Sequence, residues 1–287
     1  MAWEFTDDVA VYAERVWDLL AARPAVNTVA LTVIEHVRAG RRWSPEPMLF
    51  GWYDTGTRVA GAVSLTPPYE LLLAEVPTDA VVSLARAVRE LGVELPGVHA
   101  EVVLAESFAA AWTQATGVSA SIAMRQRLYQ LQSVRPAPSP PGQARQGRKV
   151  NLDVAVDWYR RFQAEIGGHQ LEVTPQVLYR IERQLLWLWE LDSEPVALAA
   201  RNPTTAGVAR LGPVYTPPKH RRHGYGQAVT TACTSDALSR GASHAVLFTD
   251  LANPTSNSIY QRIGYTPVSD YQVIRFTIHC VIHRNLT

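Results

Sequence analysis

Cysteine is nearly absent. Only Cys233 and Cys280 occur among the 287 residues, in separate apolar segments without metal-ligand spacing, which argues against a disulfide scaffold or a thiolate zinc site. A reducing compartment is the default. Net charge is nearly absent too: 27 Lys and Arg against 26 Asp and Glu leave +1, so no global field draws nucleic acid or an anionic membrane. Recognition rests on local sites. No apolar run approaches the roughly 18 residues of a membrane span. The opening "MAWEFTDDVAVYAERV" carries acids where a signal peptide carries Lys or Arg, and the expectation is a soluble cytoplasmic protein. With 47% hydrophobic and 18% charged residues, the chain can build one large domain or two of average size.

Composition shifts most at "RPAPSPPGQARQGRK", Arg135 to Lys149, where Pro, Gly and basic residues interrupt the apolar pattern. A linker is expected over about 136–148. After it, "VDWYRRFQAEI" and "TPQVLYRIERQLLWLWEL" have apolar residues at helical spacing, the second opened by Thr174 and Pro175 as N-cap and first-turn proline. "PVALAAR" and "GVARLGPVYT" read as strands, "QAVTTACTSDALSRG" as an amphipathic helix ended by Gly241, "HAVLFTD" as a buried strand, "NPTSNSIYQRIG" as a short helix and "YQVIRFTI" as a closing strand. The first half offers a weaker copy of that order, from "VAGAVSLT" and "YELLLAEV" through "DAVVSLARAVRELG", "VHAEVVL" and "ESFAAAWTQATG" to "MRQRLYQL". Two readings are open: an internal duplication of a mixed α/β unit, or two unrelated α/β domains with elements in the same order.

The stretch "RRHGYGQAV" lies between a strand and a helix and places Gly224 and Gly226 beside Arg221, Arg222 and His223. First-turn amides of a helix lack intrahelical partners and carry partial positive charge. Glycine lets phosphate oxygens approach those amides closely, so a pyrophosphate is the expected ligand. Walker A chemistry requires Lys then Ser or Thr after the second glycine, and Gln227 followed by Ala228 supplies neither. A dinucleotide fingerprint requires a third glycine that is missing here. The alternative is a glycine-containing turn with surface arginines. Downstream, Asn253 follows a strand, Ser256 and Tyr260 stand four apart on one helical face, and Gly264 precedes Tyr265.

With both motifs in this order, residues 150 to 278 resemble the GNAT superfamily of N-acetyltransferases. The family's Q/R-x-x-G-x-G/A motif is matched by Arg221, Gly224 and Gly226, and its later pattern by Asn253, Ser256, Ile259, Tyr260, Gly264 and Tyr265. The resemblance implies an α/β (α+β) fold of tandem GNAT-like domains, each a mixed, mostly antiparallel central sheet flanked by helices. Residues 1–135 would form a degenerate copy without the cofactor motif, and 149–287 an acetyl-CoA-binding catalytic domain. It implies acetyl-CoA as cosubstrate and a small-molecule amine or amino-group acceptor, with neither nucleic acid nor membrane as partner.

Residue by residue, the resemblance assigns pantetheine contacts to the backbone of Val214, Tyr215 and Thr216, where Gly212 and Pro213 suit a bulge. An amide near Val214 would polarise the thioester carbonyl. Amides from Arg222, His223, Gly224, Tyr225, Gly226 and Gln227 would take the pyrophosphate, with Arg221 at the rim. Asn253 and Ser256 would border the cofactor, Asn253 also capping its helix. Tyr260 matches the general acid that protonates the departing thiolate. The acid many members carry on the strand before the pyrophosphate loop is missing, and Arg210 stands in that strand. Asp250, Glu165 and His169 are the candidates for a base acting through water, Asp250 first. No metal site is expected. In the first half, Thr113 stands where Tyr260 would, and Trp43, Trp52 and Trp112 are available as pocket walls or core. Two further readings are a module that holds acetyl-CoA without turnover, and an enzyme for a longer acyl chain whose pocket "QLLWLWEL" would border.

Overall fold

A computed structural model describes residues 1–42, 44–136 and 138–277; Trp43 and Cys280 lie outside the described residues. The first half of the chain forms β1 (Ala2–Thr6), α1 (Val9–Ala21), α2 (Thr28–Arg38), β2 (Leu49–Asp54), β3 (Val59–Leu65), β4 (Leu71–Glu75), α3 (Val81–Glu90), β5 (Gly97–Glu101), α4 (Val102–Thr116) and β6 (Ser119–Leu131). The second half forms β7 (Gln143–Gln146), α5 (Leu152–Glu165), α6 (Thr174–Glu182), β8 (Leu186–Leu191), β9 (Glu194–Arg201), β10 (Val208–Tyr215), α7 (Tyr225–Ser239), β11 (His244–Asp250), α8 (Pro254–Ile263) and β12 (Thr266–Thr277). Local chemistry sets several ends. Asp8 caps α1 by accepting the Ala10 amide at 2.7 Å, and Gly117 ends α4 in the left-handed conformation.

The chain divides into two compact units. Among the described residues, unit 1 comprises Met1–Ala22, His36–Arg125 and 270–277, and unit 2 comprises Arg23–Glu35 and Gln126–Ser269. This division departs from a simple cut at 136–148. Residues 23–35, with most of α2, belong to unit 2, and the end of β12 belongs to unit 1. The physical reason is strand exchange. Residues 126–131 of β6 pair with β11 in unit 2, whereas Tyr271 to Arg275 of β12 pair with β5 in unit 1.

Each unit has a mixed, mostly antiparallel sheet with helices against it. Unit 1 orders its strands β1-β2-β3-β4-β5-β12, and unit 2 orders them β7-β8-β9-β10-β11-β6. Each order has one parallel pair at the same place, β4 with β5 and β10 with β11. Unit 1 has a core around Leu84, Phe108 and Trp112. In unit 2 one cluster joins the sheet to α7 and α8 through Val229, Cys233 and Tyr260, and another joins it to α5 and α6 through Ala155, Tyr159 and Val177. No helix among the described residues is long and apolar enough to cross a membrane.

Three local expectations are corrected. The helix expected through "QLLWLWEL" stops at Glu182, and Leu186–Leu191 is strand β8. Its Trp187, Trp189 and Leu191 pack on the α7 side while Leu186 and Leu188 pack on the α5 side, so a strand buried on both faces read as an unbroken apolar run. Leu186, Leu188 and Trp189 are core, and Trp187 and Leu191 are partly buried against it, so the segment packs the sheet rather than forming the helix expected to border an acyl pocket. The expected linker contains edge strand β7, paired with β8 from Gln143↔Glu190 to Gln146↔Trp187. It is held by an ion pair of Arg145 with the buried Glu190 and by Trp189 Nε1 donating to the Pro141 carbonyl at 3.0 Å. Thr174 lies inside α6 rather than capping it; Glu172 Oε1 accepts the Thr174 amide at 2.8 Å.

Candidate functional site: a splayed strand pair and a cradle of free amides

The parallel pairing of β10 with β11 runs from Val208↔His244 to Leu211↔Leu247 and ends there, although the strands continue to Tyr215 and Asp250. On its other edge β10 slips register against β9 between Leu211 and Val214. Gly212, at φ +145°, makes that bulge possible. Beyond it, Val214 and Tyr215 pair with Ala199 and Leu198 of β9. The sides of 212–215 and 248–250 that face each other therefore carry no strand pairing among the described residues. Val214 and Tyr215, to which the resemblance assigns cofactor contacts, lie along this unpaired edge, and Thr216 follows them.

The chain then turns through Pro218–His220 into α7. Positive φ recurs at Arg222 (+66°) and Gly224 (+84°), the latter being the N-cap. The first α7 amide with a backbone acceptor is that of Ala228, donating to Gly224 at 3.0 Å. Among the described residues no protein group accepts the amides of Arg222, His223, Gly224, Tyr225, Gly226 and Gln227. Six consecutive amide donors at a helix start are an arrangement that suits an anion. Gly226 lets the helix start lie on the strand end, because a Cβ there would stand 3.1 Å from Thr216 Oγ1. Tyr225 is buried, its ring stacked on exposed His223 at 5.6 Å, and Arg222 is exposed. Burial, then the neighbouring Lys219 and His223, pushes the His220 pKa down.

One arginine departs from the sequence expectation and another was not foreseen by it. Arg221 Nη2 reaches both Glu165 oxygens at 2.7 Å, and its Nε donates to the Thr216 carbonyl at 2.9 Å. Arg262 of α8, which sequence reasoning missed, donates from Nε to Gln227 Oε1 at 3.1 Å and from Nη1 to Ser258 Oγ at 2.6 Å. It thereby brings a guanidinium to the first turn of α7. Its signal was its place on the helix of the second motif, two residues before Gly264.

Asn253 caps α8 by accepting the Ser256 amide at 3.0 Å. One turn on, Tyr260 is 8% exposed beside Tyr129 and Tyr265, with ring centroids at 6.5 and 6.0 Å. The three phenols differ. Tyr265 shares a 2.8 Å bond with buried Thr234, and Tyr129 donates to Asn257 Oδ1 at 3.1 Å while accepting from Gln261 at 3.3 Å. The Tyr260 hydroxyl has no partner among the described residues. Burial pushes its pKa up to about 12, so the phenol stays protonated at neutral pH.

The base candidates are separated by the fold. Asp250 Oδ1 accepts the Ala252 amide at 2.8 Å, and its carbonyl accepts from the Asn253 amide and Asn257 Nδ2, both at 3.0 Å. Its carboxylate organises the turn into α8. Glu165 is engaged with Arg221 and accepts from Tyr215 OH at 3.4 Å. His169 lies between α5 and α6, where its carbonyl accepts the Leu171 amide at 3.0 Å. Arg210 donates to Thr32 Oγ1 of α2 at 2.7 Å. In unit 1 the corresponding helix start is built otherwise: Asp79 precedes α3, and Trp3 Nε1 donates to the Ala80 carbonyl at 3.3 Å and to Ser83 Oγ at 3.2 Å. Trp52 and Trp112 are both 4% exposed, Trp112 within the unit 1 core and Trp52 under Arg15.

A parallel strand pair whose pairing stops short of both strand ends, with a helix N-terminus just beyond it, is the architecture on which the comparisons with known proteins bear. Residues 153–265 match the family model described as Acetyltransferase (GNAT) family, and this part of the chain is a GNAT-family domain. No curated protein matches the chain. Among solved structures, an acetyltransferase from the GNAT family of Colwellia psychrerythraea is 14% identical, with 96% of this chain and 99% of that one covered at a TM-score of 0.60. A GCN5-related N-acetyltransferase from Sphaerobacter thermophilus is 14% identical at TM-score 0.62, covering 96% and 95%. A tandem GNAT protein from the clavulanic acid biosynthesis pathway is 13% identical at TM-score 0.55, covering 96% and 98%. The whole chain has the tandem GNAT fold.

Proposed function

We propose that unit 2 is an acetyl-CoA-dependent N-acetyltransferase that acetylates a primary amine of a small molecule or other amino-group acceptor. The observation that carries this reading is the run of six partnerless amides from Arg222 to Gln227 at the mouth of the β10–β11 wedge. Acetyl-CoA supplies an activated thioester. The chain's own groups do the rest. The amides from Arg222 to Gln227 bind a pyrophosphate, each charge-assisted bond contributing about 1.5–3 kcal/mol, with Arg222 and Arg262 adding positive charge. The free edge of Val214, Tyr215 and Thr216 bonds pantetheine amides and aims a donor at the thioester carbonyl. Asn253 and Ser256 border the cofactor at the start of α8. Tyr260 holds its proton until a thiolate departs and then donates it.

The amine must arrive neutral. With Asp250 tied to its turn, its proton leaves through water rather than to a carboxylate in direct contact, which suits amines of lowered pKa. The same observation favours a second reading, a module that holds acetyl-CoA without turnover. Titration calorimetry with acetyl-CoA, followed by release of free thiol against a panel of amines, tests both. Binding with turnover of any amine supports the transferase, binding with none supports the module, and absence of binding refutes both.

A further inference from the structure

We infer that Glu165 and Arg221 act as one positioning pair that holds the amide cradle in its binding shape, so that neither is a base or a phosphate ligand. The inference rests on the reading that this loop binds the pyrophosphate of acetyl-CoA. Arg221 touches α5, β10 and the residue just past β10. Its Nη2 bonds both carboxylate oxygens of Glu165, at the end of α5, at 2.7 Å. Its Nε bonds the Thr216 carbonyl, just past the end of β10, at 2.9 Å. Its guanidinium carbon lies 5.9 Å from the centre of the Tyr215 ring, and the Tyr215 hydroxyl donates to Glu165 at 3.4 Å.

The loop needs such a tie. Between Pro217 and Gly224 its backbone is held by two local bonds, from the His220 and Arg221 amides to Pro217 and Pro218 at 2.9 and 3.3 Å. It also carries a non-glycine residue at positive φ, Arg222 at +66°. With side chains 43% and 45% exposed, Coulomb attraction between the pair is weakened by solvent. Its effect lies in geometry, because an untethered loop must be ordered by the ligand and that ordering lowers the affinity.

The sign of one substitution separates this from the alternatives. A carboxylate near an anion site opposes anion binding, so if Glu165 were only a nearby charge, Glu165→Gln would tighten acetyl-CoA. As a tie, it must weaken it. Were Glu165 a base, Glu165→Gln would lower turnover and leave affinity alone.

The experiment is a double-mutant cycle on the full chain, with acetyl-CoA affinity read by titration calorimetry for wild type, Glu165→Gln, Arg221→Gln and the double variant. Each single substitution is expected to weaken binding about three- to tenfold, with the double no weaker than the worse single, as contacting partners require. Glu165→Gln with equal or tighter binding, or losses that multiply in the double, would overturn the inference. Trypsin nicking of the ligand-free protein after Lys219, Arg221 and Arg222 gives an independent arm. Glu165→Gln should be nicked several-fold faster than wild type because the loop opens more often, and equal rates overturn the tie. If wild type binds no acetyl-CoA, the function reading fails by itself, and the nicking rates still decide the pair.

Discussion

Replacing Tyr260 by Phe removes one hydroxyl and leaves the ring. That hydroxyl has no hydrogen-bond partner among the described residues, so its loss orphans nothing, and the stability change should stay within about 0.5 kcal/mol. Tyr265→Phe is the matched control. It strips the partner from Thr234 Oγ1, whose residue is 0% exposed, across a 2.8 Å bond, and should cost about 1–3 kcal/mol. Function should divide the two the other way. If Tyr260 protonates the leaving thiolate, turnover in Tyr260→Phe falls by about 10² to 10⁴-fold with acetyl-CoA affinity nearly unchanged. Tyr265→Phe should change turnover little in protein that remains folded. Because burial holds the Tyr260 pKa at about 12, the acid stays protonated through the neutral range, and the wild-type rate should show no loss of acid function below roughly pH 11. The assay is thiol release with a turned-over amine, alongside calorimetric affinity and thermal melts. Near-full turnover in Tyr260→Phe would refute the assignment and leave Tyr260 a core aromatic.

Gly226→Val places side-chain atoms against Thr216 Oγ1, which a bare Cβ already approaches to 3.1 Å. Acetyl-CoA affinity should fall at least about tenfold, and unchanged affinity in a folded variant contradicts the cradle. Calorimetric stoichiometry should be about one acetyl-CoA per chain, since the α3 start in unit 1 carries Asp79 and bonds from Trp3; a value near two would mean that unit 1 holds a second site. The bond from Arg145 pulls the Glu190 pKa below its ordinary value. The pair's contribution to stability is therefore present above the unfolded carboxyl pKa of about 4.3 and lost as pH falls through the lower folded value. The melting-temperature gap between wild type and Glu190→Gln should be widest near neutrality and close below about pH 4, and a gap constant with pH would exclude this linkage. Residues 149–287 alone lack β6 and the 23–35 segment of unit 2, so that fragment should show no cooperative melt; a sharp transition would refute the exchange as a folding requirement.

What could be read from the sequence alone depends on short-range backbone chemistry. Gly224 and Gly226 before an apolar helix, Asn253 three residues before Ser256, and Gly212-Pro213 within a strand each specify a turn, cap or bulge through neighbours along the chain. Hence the helix start at Gly224, the cap and the break in β10 lie where those residues predict them, and the elements from β9 to β12 follow in the order read from the sequence. Tertiary structure decided whatever depends on partners distant in sequence. Apolar spacing could not distinguish β8 from the end of a helix, because packing on two faces erases the alternation that marks a strand. Basic charge at Arg221 pointed to the rim of a phosphate site or to a plain surface arginine until the fold brought Glu165, 56 residues away, to its guanidinium. Arg262 met Gln227 across 35 residues in the same way. Three tyrosines with the same side chain became two satisfied phenols and one without a partner. Which strand completes which sheet was likewise settled by pairing: β6, read with the first half, joins β11, and β12, read with the second, joins β5.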